Sequence, residues 1–211
     1  DSDGTAPFVG GLIERNLSVD PIGYNMEIKH QLARPRVGDM PTSFSETEIR
    51  RNIFVKAANS STYRQARPNL LIGHLPIEGP GSGDRYLIHG NALLGNPTEA
   101  LLQAEGNVVI YNNVFINRGG DAIVIRPHNH RPRNITLFNN TVIAGGRGIL
   151  VTGLEPGYHQ AVYGNLLFAG RPLAGVESGV NVVAPVAAAE NWLAAAVADS
   201  PLLDLALSGE R

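Results

Sequence analysis

One asparagine recurs along most of this chain within the same short sequence frame. Each copy separates two short apolar segments, as in Ile110-Tyr111-Asn112-Asn113-Val114-Phe115 and Leu137-Phe138-Asn139-Asn140-Thr141-Val142. Successive copies are 36, 39, 22, 27 and 25 residues apart, and the asparagines are Asn16, Asn52, Asn91, Asn113, Asn140 and Asn165. A repeat of about this length indicates a fold assembled from similar stacked units.

Each repeat is long enough for three short strands. About a dozen residues after the asparagine a second apolar segment follows, as in Ala122–Ile125, Gly148–Val151 and Gly179–Val182. Three strands in about 25 residues match one coil of a parallel β-helix, and coils must stack because one coil cannot bury its own inward face. The alternative is a β-sandwich with Asn-rich turns, but turns in sandwiches recur at about 8–12 residues.

We therefore predict an all-β protein, a right-handed single-stranded parallel β-helix of about six to eight coils, over residues 1–184. The asparagines are expected to take the left-handed conformation at a bend and to form a ladder of side-chain hydrogen bonds between coils. Residues 185–211 are predicted to be a C-terminal cap. Their Ala-rich segment begins at Pro185 and favours a short helix that closes the open end of the stack. Its apolar face is Val186, Ala189, Leu193 and Val197.

Composition excludes several other classes of protein. With 24 Gly and 14 Pro among 211 residues, an all-α fold is excluded, and 43% hydrophobic against 17% charged residues excludes intrinsic disorder. The absence of Cys excludes disulfide scaffolds and thiolate metal sites. A formal net charge of −2 predicts no nucleic-acid partner, and no apolar run reaches the roughly 18 residues of a membrane span.

The frames around Asn113, Asn140 and Asn165 resemble the right-handed parallel β-helix proteins of the pectate-lyase-like superfamily, over roughly residues 9–184. In the usual naming for that superfamily, the strand before the asparagine bend lies in the second sheet and the strand after it in the third. Gly148–Val151 then lies in the first sheet, whose outer face is the substrate groove of the enzymes. The resemblance implies a secreted or periplasmic protein, although the chain shows no signal peptide. Those enzymes usually have more coils, so a fragment or a short variant is expected.

Aligning the segments of the first sheet predicts which side chains face the groove. The expected inward column is Met26, Leu70, Leu101, Ile123, Ile149 and Val180. The expected outward column is Lys29, Gly73, Ala104, Arg126, Thr152 and Val183. Residues 31–47, 56–68 and 75–84 are insertions that lengthen loops, where binding residues usually lie. The residues predicted to bind substrate are Arg34, Arg36, Arg67, Arg126 and His128, the arginines being expected on the surface.

A narrower resemblance suggests a reaction. Met26-Glu27-Ile28-Lys29-His30 is similar in placement to the E-I-I-S-x-K-S motif of alginate lyases and chondroitinase B, which implies that Lys29 is the base. Where those enzymes carry an acid arginine, this chain has Gly73-His74, so His74 is the second catalytic candidate. Alternation points His30 and His74 inward beside Glu105, so His74 would have to turn outward to act as a base.

The sequence thus predicts a carbohydrate-active protein that binds or acts on an acidic polysaccharide, a polysaccharide lyase if it is catalytic. The alternative is a non-catalytic binding or structural module. Elimination from a uronic acid needs the carboxylate neutralised by a cation or by Ca²⁺, but no Ca²⁺ ligand set is identifiable. His128 and His130 lack a third ligand, so we predict neither a metal site nor a cofactor.

Overall fold

The computed structural model describes residues 7–29, 31–34, 38–177 and 179–196. Within them the chain winds through six coils of short strands and begins a seventh. Three strands form each of the first four coils: β1 (Leu12–Glu14), β2 (Leu17–Val19), β3 (Met26–Ile28), β4 (Glu46–Arg50), β5 (Ile53–Val55), β6 (Leu70–Ile72), β7 (Arg85–His89), β8 (Ala92–Leu94), β9 (Leu102–Ala104), β10 (Val108–Tyr111), β11 (Val114–Asn117) and β12 (Ile123–Ile125).

In the fifth and sixth coils, a single long strand replaces the second and third short ones. These coils consist of β13 (Ile135–Phe138) with β14 (Thr141–Val151), and β15 (Gln160–Tyr163) with β16 (Leu166–Ala174). The seventh coil contributes β17 (Val182–Ala184). The helical segments are two 3-10 turns, Tyr63–Gln65 and Val186–Ala188, and the helix α1 (Ala189–Ala196).

The strands pair in parallel with the corresponding strands of the neighbouring coils. The second sheet has the order β1-β4-β7-β10-β13-β15. The third sheet (β2, β5, β8, β11) and the first sheet (β3, β6, β9, β12) join through β14 into one path of eleven strands. The prediction of an all-β parallel helix is therefore confirmed.

Alternation along each strand explains where the core lies. In the second sheet, Ile49, Ile88, Ile110 and Leu137 are in register with one another and are fully buried. Their chain neighbours on either side are less buried, because successive side chains of a strand point to opposite faces. Inward columns from all three sheets meet in one hydrophobic core that runs along the stack.

The asparagine ladder is present at all six predicted positions. Between the fourth and fifth coils, the Oδ1 of Asn140 accepts hydrogen bonds from the backbone N–H of Asn113 (3.1 Å) and from its Nδ2 (3.0 Å). The same pattern links Asn140 to Asn165. The ladder continues to Asn181, which the sequence analysis placed in the first sheet. Each coil is thereby hydrogen-bonded to the next at the same corner.

The left-handed conformation belongs to the residue before each of the six predicted ladder asparagines, so its expected place at the ladder residue is wrong. At Asn112 and Asn139 φ is 54° and 52°, and glycines hold the same place at Gly90 and Gly164. Asn and Gly adopt this conformation most readily. The ladder asparagine itself is free to direct its amide toward the next coil.

Two predicted registers in the first sheet are wrong. Leu70 pairs with Leu102 rather than Leu101, so Ala104 faces inward and Glu105 follows the strand in the outward column. Leu101 and Leu102 are both fully buried, so hydrophobicity alone cannot distinguish them. The segment Val180–Val183 belongs to the Asn181 corner and to β17, which pairs with β16 in the third sheet.

The predicted short C-terminal helix is confirmed, and it packs on the outer face of the third sheet. Ala189 and Leu193 pack against an apolar stripe on the outer face of the third sheet, formed by Ile116, Ile143 and Phe168. Glu190 also pairs with Arg118, which directly follows β11 of the fourth coil, at 3.0 Å. The stripe is apolar on the outside and therefore requires cover, which the helix provides. Val197, the last residue of the expected helix face, lies outside the described residues.

In the described residues, no helix combines the length and apolar character needed to cross a bilayer.

Candidate functional site

The outer face of the first sheet carries a column of mixed polar residues. The register places Lys29, Gly73, Glu105, Arg126 and Thr152 at the ends of successive strands, one above another. Leu71, Gln103, Val124 and Leu150 lie beside this column on the same face. The position predicted for Ala104 is held by Glu105. The sequence therefore placed the column correctly over the first five coils except at the third, and missed Glu105.

Two cavities lie on this face and share Gln103 and Arg126, so together they form one groove, here called the first-sheet groove. The smaller is lined by Lys29, Leu71, Ile72, Gly73, Gln103, Ala104, Glu105, Arg126 and His128. The larger has a volume of about 290 Å³ and is lined by Asn96–Ala100, Gln103, Gly119–Asp121, Val124, Arg126, Arg147 and Leu150. The groove spans the first five coils, which corresponds to about 19 Å at the spacing of paired strands.

Arg126 stands where the two cavities meet. Its side chain is exposed, and its guanidinium makes no hydrogen bond or ion pair with any residue that the structure describes. Its backbone N–H donates to the carbonyl of Ala104 (3.2 Å), which fixes the start of the turn after β12. The groove thus contains one guanidinium whose donors are available to a ligand.

Lys29, the predicted base, is already paired. Its Nζ lies 2.7 Å from Oε1 of Glu27 and 5.9 Å from the centre of the Tyr24 ring. Arg67 lies against the same ring, 5.8 Å from its centre, and donates to the carbonyls of Arg64 and Ala66. Lys29 and Arg67 therefore form a cationic group around Tyr24 at the first-coil end of the groove.

The expectation that Arg34 is exposed is wrong. Its side chain is 1% exposed and forms an ion pair with Asp84. The same guanidinium donates to the carbonyls of Pro41 (2.5 Å) and Ser43 (2.9 Å). Arg34 thus links Pro41 and Ser43 to the loop before β7, and it does not line the first-sheet groove. Arg36, with the same predicted role, lies outside the described residues.

Glu105 organises the turn that carries His128. Its Oε2 accepts hydrogen bonds from the backbone N–H groups of His128 (2.7 Å), Asn129 (2.8 Å) and His130 (3.2 Å). Gly73 leaves the space that this carboxylate needs, because a Cβ at Gly73 would lie 2.4 Å from Cγ of Glu105. Glu105 is 3% exposed and so acts as a buried anchor for the exposed Arg126–His128 segment.

His74 lies beside Glu105, as its strand position predicts. Its Nδ1 is 4.0 Å from Oε1 of Glu105 and 2.6 Å from Nδ2 of Asn129, and its ring meets His130 edge-on at 5.0 Å. The side chain is only 12% exposed and does not line the first-sheet groove. The turn held by Glu105 therefore covers His74. His30, expected to stack with it, lies outside the described residues.

The larger cavity also contains residues that the sequence analysis missed. Asp121 receives hydrogen bonds from the backbone N–H of Arg147 (2.7 Å) and from its Nε (2.8 Å). Burial alone would raise the pKa of Asp121, but these hydrogen bonds and the charge of Arg147 outweigh it and lower the pKa. Glu99 accepts a hydrogen bond from Gln103 (2.8 Å). A pair of glycines precedes both Asp121 and Arg147 in the sequence, and this recurrence could have indicated that the two residues occupy equivalent positions in neighbouring coils.

The carboxylates around the groove do not fit a Ca²⁺ site. Each is engaged by the protein itself: Glu27 by Lys29, Glu99 by Gln103, Glu105 by backbone N–H groups and Asp121 by Arg147. Over the described ranges of the chain, no three His, Asp or Glu side chains converge in a way that could hold a metal ion.

Comparison with known proteins gives one match. A family model described as "Right handed beta helix region" matches residues 42–165, more than half of the chain. The same comparison finds no curated protein and no solved structure that matches the chain.

Proposed function

The chain belongs to the right-handed β-helix family, and from this premise we propose that it binds an acidic polysaccharide along the first-sheet groove. The observation that carries the proposal is Arg126, an exposed guanidinium without a partner among the described residues, where the two cavities of a groove about 19 Å long meet. A guanidinium binds a carboxylate through two parallel hydrogen bonds, which suits the uronic acids of such polymers.

The rest of the groove supports a chain-like ligand. Gln103 and the Asn96–Ala100 segment offer polar groups beside Arg126, while Leu71, Val124 and Leu150 form an apolar floor. Lys29 and Arg67 flank Tyr24 at the first-coil end, where a second carboxylate of the same polymer would find a cationic partner. A flat face is better suited than a deep pocket to recognising a polymer through repeated weak contacts.

Binding is favoured over elimination because the candidate catalytic groups are far apart. Lys29 and Arg126 are separated by three coils, or about 14 Å, and cannot act on one sugar ring. His74 is covered by the turn that Glu105 holds. A lyase reaction would need a base, an acid and a carboxylate-neutralising group at a single ring. An extracellular polymer as ligand would go with a secreted or periplasmic location.

The test is to titrate oligogalacturonate and oligomannuronate, with a neutral galactan oligosaccharide as the comparison ligand. We expect a uronate oligosaccharide to bind, and Arg126→Gln to weaken binding by about ten- to a hundredfold, since hydrogen bonds to a charged group contribute about 1.5–3 kcal/mol. Arg51→Gln is the matched control, because Arg51 is exposed at the opposite corner, between the second and third sheets.

Three results would contradict the proposal: no uronate binding, equal binding of the neutral galactan, or equal losses in the Arg126 and Arg51 variants. Ultraviolet absorbance of the same mixtures reports unsaturated sugars. A rise that Lys29→Ala abolishes would favour the lyase reading over simple binding.

A further inference from the structure

A separate cavity lies where the chain leaves the first sheet for the second. Its volume is about 420 Å³, and we call it the corner cavity. It shares no lining residue with the first-sheet groove, and it is lined by Ile77, Pro127, Asn129, His130, Arg131, Arg133, Glu155 and Tyr158. Cavities of this size accept small organic molecules.

Arg133 is a buried cation in the wall of this cavity. It is 7% exposed, and its NH1 donates to the carbonyls of Pro76 (3.2 Å) and Ser82 (2.9 Å). Its NH2 reaches the carbonyl of Leu75 only at 3.5 Å, and its Nε has no hydrogen-bond partner. The guanidinium is therefore held in place by neutral groups and keeps unused donor capacity.

The charge of Arg133 is not neutralised by an ion pair. Among the described residues, no carboxylate lies within 4.0 Å of it, and Glu105 acts on it only from farther away. Burial lowers the pKa of Arg133, with Tyr158 and Glu105 opposing that effect. Arg34, which is also buried, is by contrast paired with Asp84. A buried charge usually requires an opposite charge nearby, and the corner cavity that Arg133 lines has room for a ligand that supplies one.

The rim of the cavity adds a second cation and an apolar wall. Arg131 is 62% exposed, and its Nε lies 3.9 Å from Glu155, too far for a strong hydrogen bond. The exposed side chains of Ile77 and Tyr158 form the apolar part of the lining. The lining of the cavity therefore combines two arginines with the side chains of Ile77 and Tyr158.

We propose that the corner cavity binds a single carboxylated sugar, a uronate monosaccharide, outside the polymer groove. Arg131 contacts the carboxylate, the charge of Arg133 attracts it, and the sugar ring packs against Tyr158 and Ile77. A small inorganic anion would leave the apolar wall uncovered, and a neutral sugar would leave Arg133 without a counter-charge. The choice of a uronate as ligand rests on the proposed function, whereas the anion site rests on Arg133 alone.

The experiment follows histidine ring signals by NMR while galacturonate monomer is added to the whole chain. His130 lines the corner cavity and His128 lines the groove, so the two rings report the two sites separately. We expect galacturonate to shift the His130 signals, and galactose and sodium sulfate to leave them in place. Arg131→Gln should weaken the apparent affinity about threefold, as for loss of one exposed charge contact.

Arg118→Gln is the control, because Arg118 is also an exposed arginine paired with a glutamate. Arg133→Met should abolish the shift, and if this variant does not fold, Tyr158→Leu tests the ring contact instead. An unmoved His130, an equal shift with galactose or with sulfate, or no difference between the Arg131 and Arg118 variants overturns the proposal. Failure of the polymer proposal would instead leave His128 unmoved by oligogalacturonate.

Discussion

The side chain of Asn140 reaches the coils on both sides of its own. Its Nδ2 donates to the carbonyl of Ile110 (2.9 Å) and to Oδ1 of Asn165 (2.9 Å), and its Oδ1 accepts from Asn113. The residue is 1% exposed, so none of these groups would find water if a partner were removed. The ladder asparagines therefore stabilise the stack, because their buried amide groups all have hydrogen-bond partners.

We predict that Asn140→Ala lowers the free energy of unfolding by about 2–4 kcal/mol, because its loss leaves buried donors and acceptors unpaired. Lys29→Ala should lower it by less than about 1 kcal/mol, since the Lys29–Glu27 pair is partly exposed. Urea unfolding of both variants checks this. A larger loss for Lys29→Ala than for Asn140→Ala would show that the ladder contributes little.

Lys56 is a buried lysine that ties a long insertion to the stack. It is 3% exposed, and its Nζ donates to the carbonyls of Arg67 (2.8 Å) and Pro68 (3.2 Å). Burial, followed by the charge of Arg67, lowers the pKa of Lys56 from 10.5 to about 8. The folded state therefore holds this proton less tightly than the unfolded state does.

From this shift we predict that the stability contributed by Lys56 rises with pH between about 8 and 10.5. The penalty for its charge is at most about 3 kcal/mol, is complete below pH 8 and vanishes above 10.5. Urea unfolding at pH 8 and pH 10 should show this rise in the wild type and a flatter profile in Lys56→Met. Measurements should stop at pH 10, because burial raises the pKa of Tyr86 and its ionisation would act in the opposite direction. Identical pH profiles for the two proteins would refute the prediction.

At the level of elements, α1 is fastened to the third sheet by a few apolar contacts. Leu193 is 7% exposed and belongs to the cluster with Ile143 and Phe168, while the Trp192 ring meets Phe168 at 6.1 Å. The helix is too short to be stable alone, so its order depends on this packing.

We expect Leu193→Ala to destabilise the docked helix by about 2 kcal/mol through loss of buried apolar surface. Hydrogen exchange should then speed up in α1 but not at the ladder amides of the central coils. Asn191→Ala is the matched control, because Asn191 lies on the exposed side of the same helix. Equal protection in both variants would mean that Leu193 does not hold the helix.

A second element-scale feature is the column of rings on the outer face of the second sheet. The rings of His89, Tyr111, Phe138 and Tyr163 are stacked nearly parallel, with centres 4.6, 5.0 and 5.6 Å apart. Their faces are turned toward one another, so the column stabilises the sheet and offers mainly ring edges to solvent.

For the molecule as a whole, the even balance of charge makes recognition local. The chain has 17 basic and 19 acidic residues, so long-range attraction of a polyanion is absent. The proposed binding in the groove would therefore depend on short-range contacts at Arg126 and at the Lys29–Arg67 group.

We therefore expect affinity for oligogalacturonate to fall severalfold as NaCl is raised from about 0.05 to 0.5 M, since added salt shortens the distance over which exposed charges attract, from about 10 Å at 0.1 M to about 3 Å at 1 M. The fall should be smaller in Arg126→Gln, which has one cation fewer in the groove. Affinity that is independent of salt would contradict an ionic basis for binding.

The sequence by itself determined the coil stack. A ladder asparagine and its alternating apolar neighbours recur in every coil, and both are local patterns that can be recognised in the sequence. The C-terminal helix was likewise readable from its Ala-rich composition. Lys29, Gly73 and Arg126 were correctly placed on one face, because each directly follows a short apolar strand.

Only the tertiary structure decided which of those side chains remain available. Arg34 is neutralised by Asp84, and Arg126 has no partner within the described part of the chain, although the sequence presents both as charged loop residues. Residues distant in the sequence also decide three other features. They decide whether Leu101 or Leu102 pairs with Leu70, which turn covers His74, and where α1 packs on the third sheet. Ion pairs, registers and burial are set by residues from neighbouring coils, tens of positions away in the chain, and no local pattern encodes them.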